Sequence, residues 1–220
     1  MKVVARNIGL IEYQSCWEAM RSFTSRRTDS DLDEFWTAEH PSVYTLGKAG
    51  NIKHILSNEK VPVVKSDRGG EVTYHGVGQL VLYTMVNVRR LGLGPREFVI
   101  NLEAGVVDYL RSIGILAVGR RDAPGVYVQN RKIGSIGLRF SKGFSYHGLS
   151  LNIDMDLTPF TFINPCGYAG MKMTQLSEYD VELDLLSVSA AVREKIYRNL
   201  YAGVSISELP ASGFEPYLKK

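Results

Sequence analysis

The sequence predicts one α+β domain, spanning residues 1–220, in which a mixed or antiparallel β-sheet is flanked by helices. Its 45% content of apolar residues is enough for one sizeable core. Glycine and asparagine turn signals between short β-branched segments favour hairpins. Strands and helices alternate irregularly, which favours an α+β fold over a doubly wound parallel sheet.

In the first half of the chain, Val3–Ile11 has the composition of an opening strand, and Gln14–Arg26 has helical spacing of Trp17, Met20 and Phe23. The polar segment Arg27–Asp33 is predicted to be a loop. Further strands are predicted within Phe35–Leu46, ending at Gly47, and at Val61–Val64, Val72–Tyr74 and Leu80–Val88.

In the second half, Pro95 at a first helical position and Gly114 at a helix end bound a helix whose apolar residues recur at helical spacing. Val126–Val128 and Ile133–Phe140 are predicted to form a hairpin that turns at Asn130–Arg131. A strand follows at Tyr146–Ile153, then a long ordered loop at Thr158–Gly170 and a last helix at Asp184–Tyr201.

Composition narrows the class of function. A net charge of +3 is too small to indicate a nucleic-acid partner, but it suits an acidic protein partner. Two distant cysteines do not make a disulfide framework, and a reduced, cytoplasmic setting is expected. The first residues lack the pattern of a signal or transit peptide, and no apolar run approaches membrane-spanning length, so no membrane association is expected.

The most unusual segment is DRGGEVTYHGVGQ, at Asp67–Gln79, which has four glycines within ten residues. Such glycines let the backbone approach a ligand and present its N–H groups, although two tight turns around a short strand would give the same composition. The segment lacks the P-loop ending and the dinucleotide fingerprint. His75 within it is more often a structural residue than a catalyst, and the four histidines show no metal-ligand spacing.

Lys132 begins a predicted strand, KIGSIGLRF. Alternation of side chains places it on the face of Gly134, Ile136, Leu138 and Phe140, which is the apolar face. Partial burial there would disfavour the ammonium form and make Lys132 a usable base. The alternative is a lysine at a hairpin turn that extends into solvent.

Cys166 lies in the sequence NPCG, where Pro165 stiffens the chain and Gly167 removes bulk beside the sulfur. A loop cysteine of this kind is a candidate nucleophile if a neighbouring base or cation favours its thiolate. The alternative is a small buried apolar side chain, which is the better interpretation of Cys16 beside Trp17.

Taken together, these segments resemble the lipoyl(octanoyl) transferase family. The matching segments are HPSVYTLG at 40–47, RGGEVTYHGVGQ at 68–79, KIGSIGL at 132–138, YHGLSLN at 146–152 and PCG at 165–167. The resemblance extends from about Tyr13 to about Tyr197. The chain departs from the family at Val77 and at Thr84, where proline is usual, and neither change removes a reactive group.

The resemblance implies the fold of biotin and lipoate protein ligases and a Cys166/Lys132 catalytic dyad. It also implies that three segments bind the acyl group: Arg68, Gly69, Gly70, Glu71, Val72, Thr73, Tyr74 and His75; Ser135, Ile136 and Gly137; and Gly148, Leu149 and Ser150. The implied donor is octanoyl-acyl carrier protein. The implied acceptors are lipoyl domains of 2-oxoacid dehydrogenase complexes and the glycine cleavage H protein. No cofactor is expected, because a thioester already carries the energy for amide formation.

The sequence leaves two other classes of function open. An ATP-dependent lipoate or biotin ligase of the same fold would need no cysteine, so Cys166 argues against it. A non-catalytic module that binds acyl carrier or lipoyl domains would tolerate the loss of Cys166. A papain-like protease using His75 or His147 is disfavoured, because no matching signature surrounds Cys166.

Overall fold

The computed structural model describes residues 1–57, 60–181 and 184–212, and the side chain of Cys166 lies outside the described part. The strands are β1 (Lys2–Leu10), β2 (Asp33–Glu39), β3 (Val43–Leu46), β4 (Val63–Lys65), β5 (Val72–His75), β6 (Gln79–Met85), β7 (Val118–Gly119), β8 (Gly125–Val128), β9 (Arg131–Ser141), β10 (Phe144–Asn152) and β11 (Ser207–Ser212). The helices are α1 (Tyr13–Arg26), α2 (Pro95–Ser112) and α3 (Leu185–Leu200).

Eight of these strands form one mixed sheet in the order β11-β1-β2-β6-β10-β9-β8-β7. β1 pairs in parallel with both β2 and β11, and the remaining pairs of this sheet are antiparallel. A smaller sheet, β4-β3-β5, lies beside it. The mixed sheet and flanking helices confirm the predicted α+β class.

The large sheet separates two apolar clusters. On one face, Phe35, Leu80 and Leu82 pack with α2 and α3 through residues such as Leu102 and Ile196. On the other face, the alternate residues Trp36, Val81 and Tyr83 pack against α1. This separation follows from the period-two alternation of side chains along β2 and β6.

Three local predictions need correction. Phe35–Leu46 contains two strands in different sheets, because Pro41 lies between β2 and β3 and lacks the N–H that a continuous ladder needs. The β8–β9 hairpin turns at Gln129–Asn130, whose φ angles of 48° and 62° suit a type I′ turn, one residue before the predicted position. β7 and β11 were not predicted; β7 has two residues and β11 contains a proline.

The remaining main elements lie close to their predicted positions. α2 begins at Pro95, and Gly114, with φ of 83°, follows its end. α3 begins after Asp184, whose side chain accepts a hydrogen bond from Ser187 N. Among the described residues, no helix has the length and apolar character needed to cross a membrane.

Candidate active site

A β-bulge in β9 determines where Lys132 points. Tyr127 pairs with Lys132 and Val126 with Gly134, so Ile133 has no opposite residue on β8. Ile133 and Gly134 therefore break the alternation, and Ile133 packs into the core beside α2 and α3. Lys132 falls on the opposite face, with Ser135 and Gly137, and the predicted shared face with Ile136 and Leu138 is wrong.

Lys132 is completely buried, beyond the partial burial that the sequence predicts. Its Nζ donates a 3.0 Å hydrogen bond to the carbonyl oxygen of Pro124 and lies 5.5 Å from the centre of the Tyr127 ring. A buried ammonium held by a carbonyl and an aromatic face is fixed in position and largely removed from water.

The backbone turn that carries Cys166, Pro165–Gly167, is anchored on both sides. Before it, Asn164 N donates to His54 O at 2.8 Å, and Ile55 pairs with Ile163. After it, the chain returns to β9, where Lys132 N donates to Lys172 O at 2.8 Å and Thr174 N donates to Lys132 O at 3.0 Å. The chain that follows the Cys166 turn is therefore hydrogen-bonded directly to the strand that carries the candidate base.

A cavity, partly open to solvent, lies beside Lys132 on this face of the sheet. Its walls include Lys132 and all three predicted acyl-binding segments except Tyr74: Arg68, Gly69, Gly70, Glu71, Val72, Thr73, His75, Ser135, Ile136, Gly137, Gly148, Leu149 and Ser150. Tyr74 packs instead against Tyr44 and Phe160 beneath the small sheet.

Four further lining residues were not proposed from the sequence as site residues: Tyr13, Val81, Tyr83 and His147. His147 stands within the matching segment YHGLSLN, so that segment contained a signal for it. Tyr13 comes from the first turn of α1 and Tyr83 from β6, and only the three-dimensional packing brings them together.

The glycines of the cavity wall allow close backbone packing. A Cβ at Gly148 would lie 2.0 Å from Leu82 O on the neighbouring strand. Gly69 N donates to Leu138 O at 2.9 Å, and a Cβ at Gly137 would lie 3.1 Å from Gly69 O. The glycine-rich loop thus lies directly on β9, and side chains at these positions would separate the two walls.

Arg68 holds the glycine-rich loop in shape. Its guanidinium donates to Thr45 Oγ1 and Thr45 O at 3.0 and 2.6 Å, to Glu71 O at 2.7 Å and to Gly69 O at 2.8 Å. The side chain is buried, so these bonds satisfy a charge that would otherwise be costly. Arg68 lines the cavity mainly as the support of its own loop.

His75 is buried, and its Nδ1 donates a 2.6 Å hydrogen bond to Oε1 of Gln79. Burial, followed by the neighbouring His40, lowers the pKa of His75 to about 3. Its imidazole is therefore neutral at physiological pH, a state suited to a structural hydrogen bond. Among the described residues, no group of three or more potential metal ligands is found.

The partly buried Asp67 and the buried His147 form a hydrogen-bonded pair next to the cavity. His147 Nε2 and Trp17 Nε1 each donate to Asp67 Oδ1 at 2.8 Å, and Tyr146 OH donates to Oδ2. Although partial burial alone would raise it, these hydrogen bonds hold the pKa of Asp67 well below its usual range. Burial lowers the pKa of His147, so its imidazole is held neutral with the proton on Nε2.

The chain matches the lipoyl protein ligase A/B catalytic domain family over residues 12–197. It is 48% identical, over 215 residues, to the octanoyltransferase of Stutzerimonas stutzeri (strain A1501), covering 98% of this chain and 97% of that protein.

Solved structures of low sequence identity share the fold. A lipoate-protein ligase A bound with ATP has a TM-score of 0.79 at 13% identity, covering 98% of this chain and 92% of the other. The biotin protein ligase of Aquifex aeolicus has a TM-score of 0.56 at 15% identity, covering 91% and 70%. The chain therefore belongs to the lipoyl protein ligase A/B catalytic domain family, and its octanoyltransferase relatives make it an acyltransferase of protein lipoylation.

Proposed function

We propose that this acyltransferase takes octanoyl from octanoyl-acyl carrier protein onto Cys166 and passes it to a lysine of an apo lipoyl domain, with Lys132 as the acid/base partner. The observation that carries the proposal is the buried side chain of Lys132 on a cavity wall, on a strand bonded directly to the segment after Cys166. We further propose that residues 1–220 act as a single catalytic domain.

In the first half-reaction, the Cys166 thiol gives its proton to Lys132, and the resulting thiolate attacks the thioester carbonyl of the donor. A tetrahedral oxyanion forms and collapses, the carrier's thiolate leaves with a proton from Lys132, and octanoyl-Cys166 remains. Burial strengthens the attraction between a thiolate and the Lys132 ammonium, because little water screens it.

In the second half-reaction, the ε-amine of the acceptor lysine attacks the octanoyl-Cys166 carbonyl. The attacking nitrogen loses a proton to Lys132, the C–S bond breaks, and the Cys166 sulfur recovers a proton. The product is an amide, which is more stable than a thioester, so the transfer needs no ATP. Lipoyl domains of 2-oxoacid dehydrogenase complexes and the glycine cleavage H protein are the proposed acceptors.

The proposed place for the acyl chain is the cavity. Burial of the seven carbons beyond the carbonyl would contribute at most roughly 5 kcal/mol, at ~0.8 kcal/mol each. The covalent intermediate separates the two protein partners in time, so donor and acceptor need not occupy the cleft together. We also propose that this enzyme acts in the cytoplasm, where both of its protein partners would be found.

The test is the intact mass of the protein after it is mixed with octanoyl-acyl carrier protein. We expect one octanoyl adduct, labile to hydroxylamine, in the unaltered chain and in Cys16→Ala, and none in Cys166→Ala. Cys16 is the matched control, because its thiol is fully buried and burial raises its pKa. Turnover by Cys166→Ala, or octanoylation that requires ATP and magnesium with free octanoate, would instead indicate the ligase chemistry of the same fold.

A further inference from the structure

One peptide group lies between Lys132 and a carboxylate of helix α2. The carbonyl of Pro124 accepts the hydrogen bond from Lys132 Nζ at 3.0 Å. The N–H of Gly125, which belongs to the same peptide group, donates to Glu103 Oε1 at 2.7 Å. A cation and a carboxylate thus polarise one amide from its two ends, an arrangement in which each hydrogen bond strengthens the other.

Gly125 is the residue that makes this arrangement possible. Its φ of 144° lies in a region that side chains rarely adopt. A Cβ there would lie 2.6 Å from Lys132 Cε and 2.5 Å from Gly134 O. The lysine side chain is therefore packed directly against the backbone atoms that connect it to Glu103.

We propose that Glu103 is a positioning residue that acts on Lys132 through the Pro124–Gly125 peptide, fixing the ammonium's location and favouring its charged form. The proposal rests on the acid/base role proposed above for Lys132. Glu103 does not line the cavity in which the reaction is proposed to occur. It therefore influences the two half-reactions only through Lys132.

The electrostatic surroundings support this assignment. Half-buried Glu103 has a pKa raised by burial, while the Gly125 N–H and the charge of Lys132 act in the opposite direction. Tyr127 faces Lys132 from β8, and Lys172 and Arg131 are its backbone neighbours. The nearby Asp122 and Glu178 already form ion pairs with Arg120 and Arg131.

The two half-reactions would respond differently to the loss of this negative charge. Transfer of the Cys166 proton to Lys132 produces the Lys132 ammonium beside the thiolate, and the negative charge of Glu103 stabilises that ammonium. Attack by the acceptor lysine needs the neutral amine of Lys132, which Glu103 disfavours. Removal of the charge should slow acylation near neutral pH and let deacylation begin at a lower pH.

The experiment compares Glu103→Gln, Glu103→Ala and Asp108→Asn, an exposed-face control on the same helix, in single-turnover kinetics of each half-reaction from pH 6 to 10. The glutamine oxygen can still accept from Gly125 N–H. For Glu103→Gln we expect slower acylation at pH 7, by about 3–10-fold, and a deacylation profile moved down by roughly half to one pH unit. A Glu103→Gln profile that coincides with the unaltered protein overturns the proposal, because only the hydrogen bond would then matter.

A second measurement needs neither turnover nor a Glu103 variant. The Gly125 amide proton, bonded to a carboxylate and polarised by Lys132, should resonate downfield and move upfield in Lys132→Met. An unchanged Gly125 resonance also overturns the proposal. Absence of the octanoyl adduct on unaltered Cys166 would reject the proposed function instead, which keeps the two failures distinguishable.

Discussion

Asp67 accepts a 2.8 Å hydrogen bond from Nε2 of His147, and the remaining nitrogen of that buried imidazole, Nδ1, has no partner among the described residues. His147 also lines the cavity. With the proton fixed on Nε2, Nδ1 is a buried hydrogen-bond acceptor.

The first prediction concerns Asp67→Asn, which removes the charge that accepts hydrogen bonds from three side chains. We expect a loss of about 1–2 kcal/mol of unfolding free energy at pH 7, a value reduced for the partial exposure of this carboxylate. Because folding lowers the pKa of Asp67, its contribution is present above the unfolded value of about 3.9 and is lost as pH falls toward the folded value.

Urea unfolding between pH 7 and pH 3 measures this difference. The difference in unfolding free energy between the unaltered protein and Asp67→Asn should be constant down to about pH 5 and should narrow below about pH 4. Asp154→Asn, at an exposed carboxylate, serves as the control and should show no such gap. A gap that stays constant over the whole range would contradict the charge-assisted interpretation.

The second prediction concerns the buried histidines. Burial lowers the pKa of His75 to about 3 and that of His40 to about 4, whereas the unfolded value is about 6.5. The unfolded state therefore binds more protons below pH 6.5, and stability falls as pH falls from there toward 4, by up to ~1.4 kcal/mol per pH unit for each histidine.

His75→Gln should be less stable than the unaltered protein at pH 7 but lose less stability on acidification. The free energy of unfolding, measured at several pH values between 7 and 4.5, gives the two slopes. His54→Gln is the control, because that imidazole is partly exposed. Parallel slopes for His75→Gln and the unaltered protein would show that His75 does not titrate in this way.

The third prediction concerns Lys132→Arg, which keeps the positive charge and removes the capacity to act as a base. We expect severe impairment of transfer from preformed octanoyl-Cys166, by ~10²–10⁴-fold, and a smaller effect on acylation. Single-turnover kinetics of each half-reaction for Lys132→Arg and Lys132→Ala measures this separation. Near-normal transfer by the arginine variant would exclude the base role.

The tight packing of Lys132 requires a control for steric failure. Its Cε lies against Gly125, and its Nζ is bonded to Pro124 O, so the longer arginine must displace one of them. The octanoyl adduct must therefore be shown to form on Lys132→Arg before its transfer rate is interpreted.

The fourth prediction concerns docking of an acidic acyl carrier. The sequence groups Arg120, Arg121, Arg131, Arg139 and Lys142 near Lys132. In the structure, Arg120 and Arg131 form ion pairs with Asp122 and Glu178. Lys142 lies beyond the far end of β9, about 30 Å from Lys132 at ~3.3 Å per residue. Lys142 is therefore the member of this group that lies farthest along the strand from Lys132.

A surface groove that includes Arg96 adjoins the cavity wall at Gly69–Glu71. Asp122 lines the same groove, and Arg121 is its neighbour in the chain. We predict that Arg96→Glu and Arg121→Glu raise the donor's KM several-fold at low salt and that the difference shrinks as salt rises. Lys142→Glu is the matched control and should leave KM unchanged. Equal KM values for all three variants would exclude docking at this groove.

Local patterns predicted most elements, and pairing between distant segments accounts for the errors. Spacing and capping signals located α2 and α3 closely, because both depend on neighbouring residues. The bulge at Ile133 arises from pairing between β8 and β9, and it reversed the expected face of Lys132. The contribution of Glu103 is equally non-local, since α2 meets Gly125 only in the folded chain.

The position of β11 has a consequence for the order in which the chain can complete its fold. β1 pairs with β2 on one side and with β11, some two hundred residues later, on the other. Until residues 207–212 have been synthesised, one edge of β1 therefore remains an open template for strands of other molecules. β11 itself contains Pro210 and is mostly exposed, so it closes that edge without offering a good new one. Deletion of residues 207–212 should therefore promote aggregation. This effect would arise far from the candidate active site, because β11 is an edge strand of the large sheet and several strands separate it from β9 and Lys132.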